Sequence, residues 1–205
     1  MPDFSLEIEM QALGHHLVAG IDEAGRGPLA GPVTAGAVIL PDGYRHDLVN
    51  DSKQLSEKRR EQVYEDLIAD ERVVWAWGLA EAEEIDRINI LQATYLAMAR
   101  AVEALSVTPD AALVDGRRVK GLPVPHRGVI KGDSLSMSIA AASIIAKVNR
   151  DRIMRKYAVE FPQYGFAKHK GYGTKVHLEG LKNHGPCAIH RKSFSPVAKA
   201  AGEIQ

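Results

Sequence analysis

The 205-residue chain has a single cysteine, Cys187. One cysteine cannot form an internal disulfide, and it excludes zinc sites that are built from several cysteines. The chain also lacks a run of about 18 apolar residues, so we expect no membrane-spanning helix and no membrane partner. Its acidic start, with Asp3, Glu7 and Glu9, is unlike a secretory signal. These absences favour a protein that works in the cytoplasm.

Several motifs of nucleotide and hydrolase chemistry are missing as well. The sequence has no G-x-x-x-x-G-K-[ST] phosphate loop, no G-x-G-x-x-G turn, no H-E-x-x-H and no G-x-S-x-G. P-loop NTPases, dinucleotide-binding folds, zinc proteases with that motif and nucleophile-elbow hydrolases are therefore disfavoured.

Charge is balanced overall but unevenly distributed. Residues 1–146 carry 14 Lys and Arg against 22 Asp and Glu, whereas residues 147–199 carry 12 against 3. A basic C-terminal quarter can contact a polyanion such as nucleic acid, or its charges can be solvated on helix faces. Charge alone leaves both interpretations open.

Strands and helices alternate along the chain. The hydrophobic pattern predicts strands at 17–22, 33–40, 72–80, 111–115 and 128–130. It predicts helices at 5–13, 56–69, 82–106 (one or two helices), 134–158 and 174–183, with a last helical turn at 196–201. Such alternation indicates one α/β domain over residues 1–205, with a mixed central sheet flanked by helices and a small helical C-terminal part.

Acidic residues stand at the ends of two predicted strands and before the longest helix. Asp22 and Glu23 end the first strand, Asp115 ends the apolar strand AALVD, and Asp133 lies in KGDS. Converging carboxylates repel one another unless a cation neutralises them. Because hard divalent cations prefer oxygen ligands, this pattern favours a site for two Mg²⁺ or Mn²⁺ ions that clamp a phosphoryl displacement. Taken singly, Asp115 can equally cap a turn and Asp133 a helix.

Three loops have the composition of phosphate-binding segments. In EAGRGPLAGP (23–32) the glycines let the backbone approach a ligand, and Arg26 can face a phosphate. The stretch 164–175 is basic and aromatic, with Tyr172 held between two glycines, and suits contact with phosphates and sugars. The polar loop 50–53 can bind a phosphate or cap the helix predicted at 56–69.

In eight stretches the sequence closely resembles bacterial ribonuclease HII, the type 2 ribonuclease H. They are GIDEAGRGPLAGPV (20–33), NDSKQLSEKRR (50–60), EIDRINILQAT (84–94), LVDG (113–116), KGD (131–133), SIAAASIIAKV (138–148), FPQYGFAKHKGYGT (161–174) and HRKSF (190–194). The resemblance implies a ribonuclease H-like fold and an endoribonuclease that hydrolyses the RNA strand of RNA–DNA hybrids. It also implies nicking at ribonucleotides embedded in duplex DNA, with 3′-hydroxyl and 5′-phosphate products.

Site residues follow from the same resemblance, by position. The catalytic and metal-binding residues that it implies are Asp22, Glu23, Asp115 and Asp133, which hold two Mg²⁺ or Mn²⁺ ions in the substrate complex. It implies that Gly25, Arg26 and Gly27 sense the ribose 2′-hydroxyl and that Tyr172 packs on the sugar at the RNA–DNA junction. Gly173 stands where many relatives have proline. The further substrate-binding residues that we expect are Asn50, Ser52, Lys53, Lys168 and Lys170.

We expect a monomer that binds RNA–DNA hybrids and ribonucleotide-containing duplex DNA, with the basic region 147–199 contributing to duplex binding. One alternative is a DNA strand-transfer or recombination nuclease on the same fold, which needs similar acids but no 2′-hydroxyl sensor. Cleavage of an all-DNA duplex would favour it. The other alternative is a non-catalytic nucleic-acid binder, which cleavage abolished by a chelator would exclude.

Overall fold

The computed structural model describes residues 1–46, 49 and 55–202, so the predicted substrate contacts Asn50, Ser52 and Lys53 lie outside the described residues. Its strands are β1 (Val18–Ala24), β2 (Val33–Ile39), β3 (Val74–Ala80), β4 (Ala111–Asp115) and β5 (His126–Val129). They form one sheet in the order β3-β2-β1-β4-β5. β2 is antiparallel to β1 and β3, whereas β4 is parallel to β1 and β5. The predicted mixed sheet is confirmed.

Helices surround this sheet. They are α1 (Ser5–Ala12), α2 (Glu57–Ala69), α3 (Ala82–Glu103), α4 (Met137–Glu160), α5 (Phe166–His169), α6 (Lys175–His184) and α7 (Ser195–Ala200). The open choice between one and two helices at 82–106 is explained by a kink at Asn89, which has φ 66°. Its side-chain oxygen accepts the N–H groups of Leu91 and Gln92, as an N-cap does. Among the described residues no helix is long and apolar enough to cross a membrane.

The sheet is buried on both faces. The β1 residues Ala19 and Ile21 pack with α3 residues such as Met98 in one cluster. On the other face α4 lies directly on β1: a Cβ at Gly20 would stand 2.1 Å from the carbonyl carbon of Ser138. This close approach explains why the first half of α4 is apolar all round and why it is fixed relative to the end of β1.

The start of α4 differs from the prediction. Ser136 is the N-cap, because its Oγ accepts the Ile139 N–H at 3.1 Å. Asp133 lies earlier, in a short 3₁₀ turn over Gly132–Ser134. The predicted helix start at residue 134 is therefore wrong by three residues, and Asp133 is not the helix cap. Its position in this turn instead places the Asp133 carboxylate near the ends of β1 and β4.

Candidate active site

Parallel pairing of β1 and β4 places two acids side by side. The register of this pair places Ile21 opposite Val114, so Asp22 and Asp115 follow as neighbours at the ends of adjacent strands. Side chains alternate along a strand, and Gly20 already faces α4, so Asp22 points to the α4 face as well. Leu113 packs on Ile139 of α4, which puts Asp115 on the same face.

Asp133 joins these two residues from the turn between β5 and α4. The N–H of Gly132 donates to Oδ1 of Asp115 at 2.7 Å, which ties the turn to the end of β4. Carboxylate oxygens of Asp22, Asp115 and Asp133 all lie within 4.8 Å of one another. Asp22 and Asp133 are only 2% and 6% exposed. The fold thus brings together three of the four acids that the sequence singled out.

The chemistry of this cluster fits a divalent cation. All three potential ligands are carboxylates, the oxygen donors that Mg²⁺ and Mn²⁺ prefer. Burying several like charges close together is costly, and a cation of charge +2 offsets that cost. The positions of the oxygens and the burial of Asp22 and Asp133 therefore favour a metal centre over three separate structural carboxylates.

Glu23 lies on the opposite side of β1. The strand stays regular through this residue, which pairs with Ala35, so its side chain points to the α3 face. Its Oε1 accepts a hydrogen bond from Nη1 of Arg26 at 3.2 Å. Glu23 and Asp115, at the ends of neighbouring strands, also line a common cleft with residues of α3. The group of three close carboxylates does not include Glu23, and its role as the fourth ligand stays a prediction.

The loop of residues 25–32, here called the glycine loop, meets Tyr172 beside the acids. A Cβ at Gly27 would lie 3.5 Å from Cε1 of Tyr172, and the Tyr172 side chain is 48% exposed. Gly25 has φ +96°, and a Cβ there would stand 2.0 Å from Nε of Arg150. A cleft of about 240 Å³ is shared by Asp22, Glu23, Gly25, Arg26, Gly27, Asp115, Lys147, Arg150 and Tyr172. Three of the predicted acids, Asp22, Glu23 and Asp115, therefore share one cavity with the predicted sugar-sensing residues.

Two buried arginines, which the sequence reasoning missed, hold the glycine loop. Arg191 donates to the carbonyl oxygens of Gly25, Arg26, Pro28 and Gly31 at 2.6–3.0 Å. Arg150 donates to those of Ala30, Pro32 and Lys170 at 3.0–3.2 Å. Burial lowers the pKa of Arg150 to about 10 and, with the nearby Arg150 charge, that of Arg191 to about 9. Both therefore stay cationic near neutral pH. Their sequence signal was ambiguous, because each stands in a basic stretch that also suits a surface.

Lysines of the predicted phosphate-binding segment have different environments. Lys168 is exposed. Lys170 is only 8% exposed, and its ammonium donates to the carbonyl of Ala167. The structure therefore gives no support to Lys170 as a phosphate contact: its charge is directed into the protein. Its backbone, at φ 52°, instead shapes the turn before Tyr172.

Part of the basic region is neutralised within the fold. Arg152 of α4 donates to Glu61 and Glu65 of α2 at 2.7 and 2.6 Å. Arg155 is paired with Glu61 and Glu57. These α4 charges therefore hold α2 in place, and the surface that they offer to a polyanion is smaller than the sequence count suggests.

Comparisons with known proteins agree with this geometry. A sequence model described as Ribonuclease HII matches residues 19–197. The chain is 56% identical over 191 residues to ribonuclease HII 1 of Methylibium petroleiphilum, covering 93% of this chain and 96% of that protein. It is 55% identical over 197 residues to ribonuclease HII of Chlamydia trachomatis, with 95% and 90% covered.

Solved structures extend the likeness to the fold. The crystal structure of the ribonuclease H2 from Pyrococcus horikoshii matches with a TM-score of 0.76 and 28% identity. The match covers 91% of this chain and 98% of that one. The similarity thus spans the sheet, the acids at its end and the helical C-terminal part.

Proposed function

The chain belongs to the ribonuclease HII family of metal-dependent endoribonucleases acting on RNA–DNA hybrids, and we propose that it also nicks duplex DNA at single embedded ribonucleotides. The observation that carries this proposal is one cleft shared by Asp22, Glu23 and Asp115, by Gly25–Gly27 of the glycine loop and by Tyr172. A cleavage centre and a group able to inspect the sugar are then within reach of the same nucleotide.

Asp22, Asp115 and Asp133 would hold the divalent ions, either Mg²⁺ or Mn²⁺, with Glu23 as the fourth acid from the opposite face. When bound, two such ions would stabilise the attacking and leaving oxygens of an in-line displacement, which would give 3′-hydroxyl and 5′-phosphate ends. The chain's own contribution is to fix Asp22, Glu23 and Asp115 near the ends of two strands and Asp133 in a turn that is tied to β4. The hydrogen bond from the Gly132 N–H holds one oxygen of Asp115 in orientation.

Selection of a ribonucleotide requires contact with its 2′-hydroxyl, the group that separates RNA from DNA at a given sugar. Gly25 and Gly27 leave room for close backbone approach, while Arg26 is half-exposed at the cleft. Tyr172 presents an exposed ring on the other side of Gly27. In this proposal the ring packs on the sugar and the loop reads the hydroxyl.

We further propose that residues 1–205 act as one domain and as a monomer. Exposed lysines of the basic region 147–199, Lys168 among them, would contact the phosphates of the duplex. Such contacts position the duplex but carry no sequence information, which suits an enzyme that recognises a sugar.

The test is a labelled DNA duplex with one internal ribonucleotide, incubated with Mg²⁺, with Mn²⁺ and with a chelator. We expect a single nick at the ribonucleotide, dependent on metal, and no cleavage of the matched all-DNA duplex. Cleavage of the all-DNA duplex would instead indicate a DNA nuclease on this fold. Binding without cleavage under any metal condition would indicate a non-catalytic binder.

A further inference from the structure

A buried pair of histidines lies behind the turn that presents Tyr172. His177 and His190 are 0% and 1% exposed, and their Nε2 atoms are 2.9 Å apart. Nδ1 of His177 lies 2.9 Å from the carbonyl oxygen of Tyr172. At the other end, Nδ1 of His190 accepts the backbone N–H of Cys187 at 2.9 Å. One chain of hydrogen bonds therefore connects Cys187 to the backbone of Tyr172.

The two ends of this chain fix the proton positions on both rings. An amide N–H only donates, so Nδ1 of His190 carries no proton and its Nε2 does. A carbonyl only accepts, so Nδ1 of His177 carries the proton and its Nε2 accepts from His190. In these neutral tautomers Nε2 of His190 donates and Nε2 of His177 accepts, so the contact between the two rings is a hydrogen bond. A second proton on either ring would set two N–H groups against each other.

The turn itself needs support from outside. Lys170 and Gly171 both have positive φ values, 52° and 89°, a conformation that Lys rarely adopts. The carbonyl oxygens of Lys170, Gly171 and Tyr172 accept hydrogen bonds from three donors outside the turn: in order, Arg150 Nη1, the Leu29 N–H and His177 Nδ1. The Tyr172 carbonyl also accepts the local Thr174 N–H at 2.8 Å. Of the three donors outside the turn, only His177 has its donor proton placed by a second side chain, His190.

We propose that His177 and His190 are positioning residues for the recognition of a single ribonucleotide, acting through the backbone of Tyr172. This inference rests on the proposed function, in which Tyr172 packs on the sugar. Gly173 adds no ring constraint after Tyr172, so the end of the turn is held by the two donors to the Tyr172 carbonyl, the Thr174 N–H and His177 Nδ1. Because the Tyr172 ring borders Gly27, a small movement of the turn changes the width of the cleft.

Substrate type should reveal this role. A continuous RNA strand offers a 2′-hydroxyl at every nucleotide, so a displaced Tyr172 can still find a register that permits cleavage. A single embedded ribonucleotide offers one register only. Loss of positioning should therefore lower the kcat for the embedded ribonucleotide and leave cleavage of the hybrid nearly unchanged.

Two matched substitutions at His177 separate its two contacts. His177→Asn keeps an amide nitrogen near the position of Nδ1, so it can still donate to the Tyr172 carbonyl. His177→Gln keeps an amide oxygen near the position of Nε2, so it preserves only the contact with His190. We expect His177→Gln to lower kcat at the embedded ribonucleotide about tenfold, the effect of one lost hydrogen bond, with KM unchanged. His177→Asn should stay within about threefold of the parent.

At His190 the order of the two variants should reverse: His190→Asn should lower kcat at the embedded ribonucleotide and His190→Gln should not. The reason is that His190 donates to His177 through Nε2. His190→Gln can still donate to His177, and His190→Asn cannot. A role in packing alone would give the same order at both positions, since Asn is the smaller residue at each. The His190 pair also decides the matter if the His177 variants fail to fold, which thermal melting would reveal.

Tyr172→Ala, measured alongside, separates this inference from the proposed function. A loss with Tyr172→Ala and the expected order among the histidine variants would support both. A loss with Tyr172→Ala but none with His177→Gln and His190→Asn would overturn the positioning role and leave the proposed function standing. If Tyr172→Ala cleaves the embedded ribonucleotide like the parent, Tyr172 does not read the sugar, and the inference falls with that role.

Discussion

Like charges are arranged in opposite ways at the end of the sheet and in the basic region 147–199. Three acids that are far apart in the sequence, Asp22, Asp115 and Asp133, meet within 4.8 Å. The arginines of the basic region instead each have partners within the fold. Arg150 and Arg191 are buried among carbonyl groups, and Arg152 and Arg155 are paired with glutamates of α2.

This difference shows what each region is built for. Convergence of acids is unfavourable without a cation, so it marks a place where a ligand is needed. The arginines instead use their several N–H donors to hold loops and helices, which is a structural role. The basic residues of 147–199 that remain exposed are all lysines: Lys156, Lys168, Lys175, Lys182, Lys192 and Lys199. The duplex-binding charge should reside there.

We expect the largest effect from substitutions that remove a carboxylate from the acidic cluster. Asp22→Asn or Asp115→Asn should lower the cleavage rate at least a thousandfold, about 4 kcal/mol of transition-state stabilisation, because each removes a metal ligand. Affinity for the RNA–DNA hybrid should change little, since no basic contact is lost. Single-turnover rates and a binding titration measure the two effects. Glu103→Gln, at an exposed acid at the end of α3, is the control and should cleave like the parent.

The next effect concerns the histidines of the C-terminal part. Burial lowers the pKa of His177 and lowers that of His190 from 6.5 to about 4. Both rings are neutral in the fold, whereas the unfolded chain takes up protons on them below about pH 6.5. The free energy of unfolding is therefore highest above pH 6.5 and falls as the pH falls towards 4. For His190 the free energy of unfolding should fall by up to about 1.4 kcal/mol per pH unit in that window.

Denaturant unfolding at several pH values checks this dependence. His190→Asn should show a shallower slope than the parent between pH 6.5 and 4, because it removes the ring whose pKa is lowered. An identical slope in His190→Asn would mean that this histidine takes up its proton equally in the folded and unfolded chain.

A smaller effect tests the repulsion among the acids. Asp133→Asn should raise the melting temperature of the metal-free protein by a few degrees, since about 1 kcal/mol corresponds to roughly 2–4 °C at this chain length. Loss of a helix cap does not oppose this gain, because Ser136 is the cap of α4. Mg²⁺ or Mn²⁺ should raise the melting temperature of the parent and much less that of the variant. A variant that melts lower without metal would remove Asp133 from the site.

We expect the smallest effect on the salt dependence of duplex binding, which should distinguish exposed lysines from arginines that are paired with acids. Lys168→Ala should reduce the slope of log affinity against log salt by about 0.9, the value of one phosphate contact. Arg155→Gln should leave the slope unchanged, because this arginine is paired with glutamates of α2. Equal slopes for the parent and Lys168→Ala would place the duplex elsewhere on the protein.

Sequence reasoning predicted the sheet and its acids well, because both depend on local patterns. Apolar runs that end in Asp22 and Asp115 indicate strand ends, and parallel pairing then brings them together. Alternation along β1 directs Glu23 to the opposite face from Asp22, yet both residues line one cleft, and the role of Glu23 as a ligand stays a prediction. The pattern did not place the start of α4, since Asp133 and Ser136 are both good caps and only the fold decides between them.

Sequence reasoning failed mainly to predict which charged residues are buried. Lys170 and Arg191 stand in basic stretches like those of any solvated surface, yet both are buried. Their partners are backbone carbonyls of the glycine loop or of a nearby turn, and carbonyls carry no signal in the sequence. The hydrogen bond between His177 and His190 was missed for a similar reason, since 13 residues and a helix end separate them.

Anomalous X-ray scattering tests the central claim most directly. Crystals of the protein with a duplex that contains one ribonucleotide would be soaked in Mn²⁺, with Asp22→Asn as the matched control. We expect manganese peaks at bonding distance from the carboxylates of Asp22, Asp115 and Asp133, with the ribose between the glycine loop and Tyr172. Manganese bound away from these carboxylates, or the ribose bound outside this cleft, would contradict a single site for cleavage and sugar recognition.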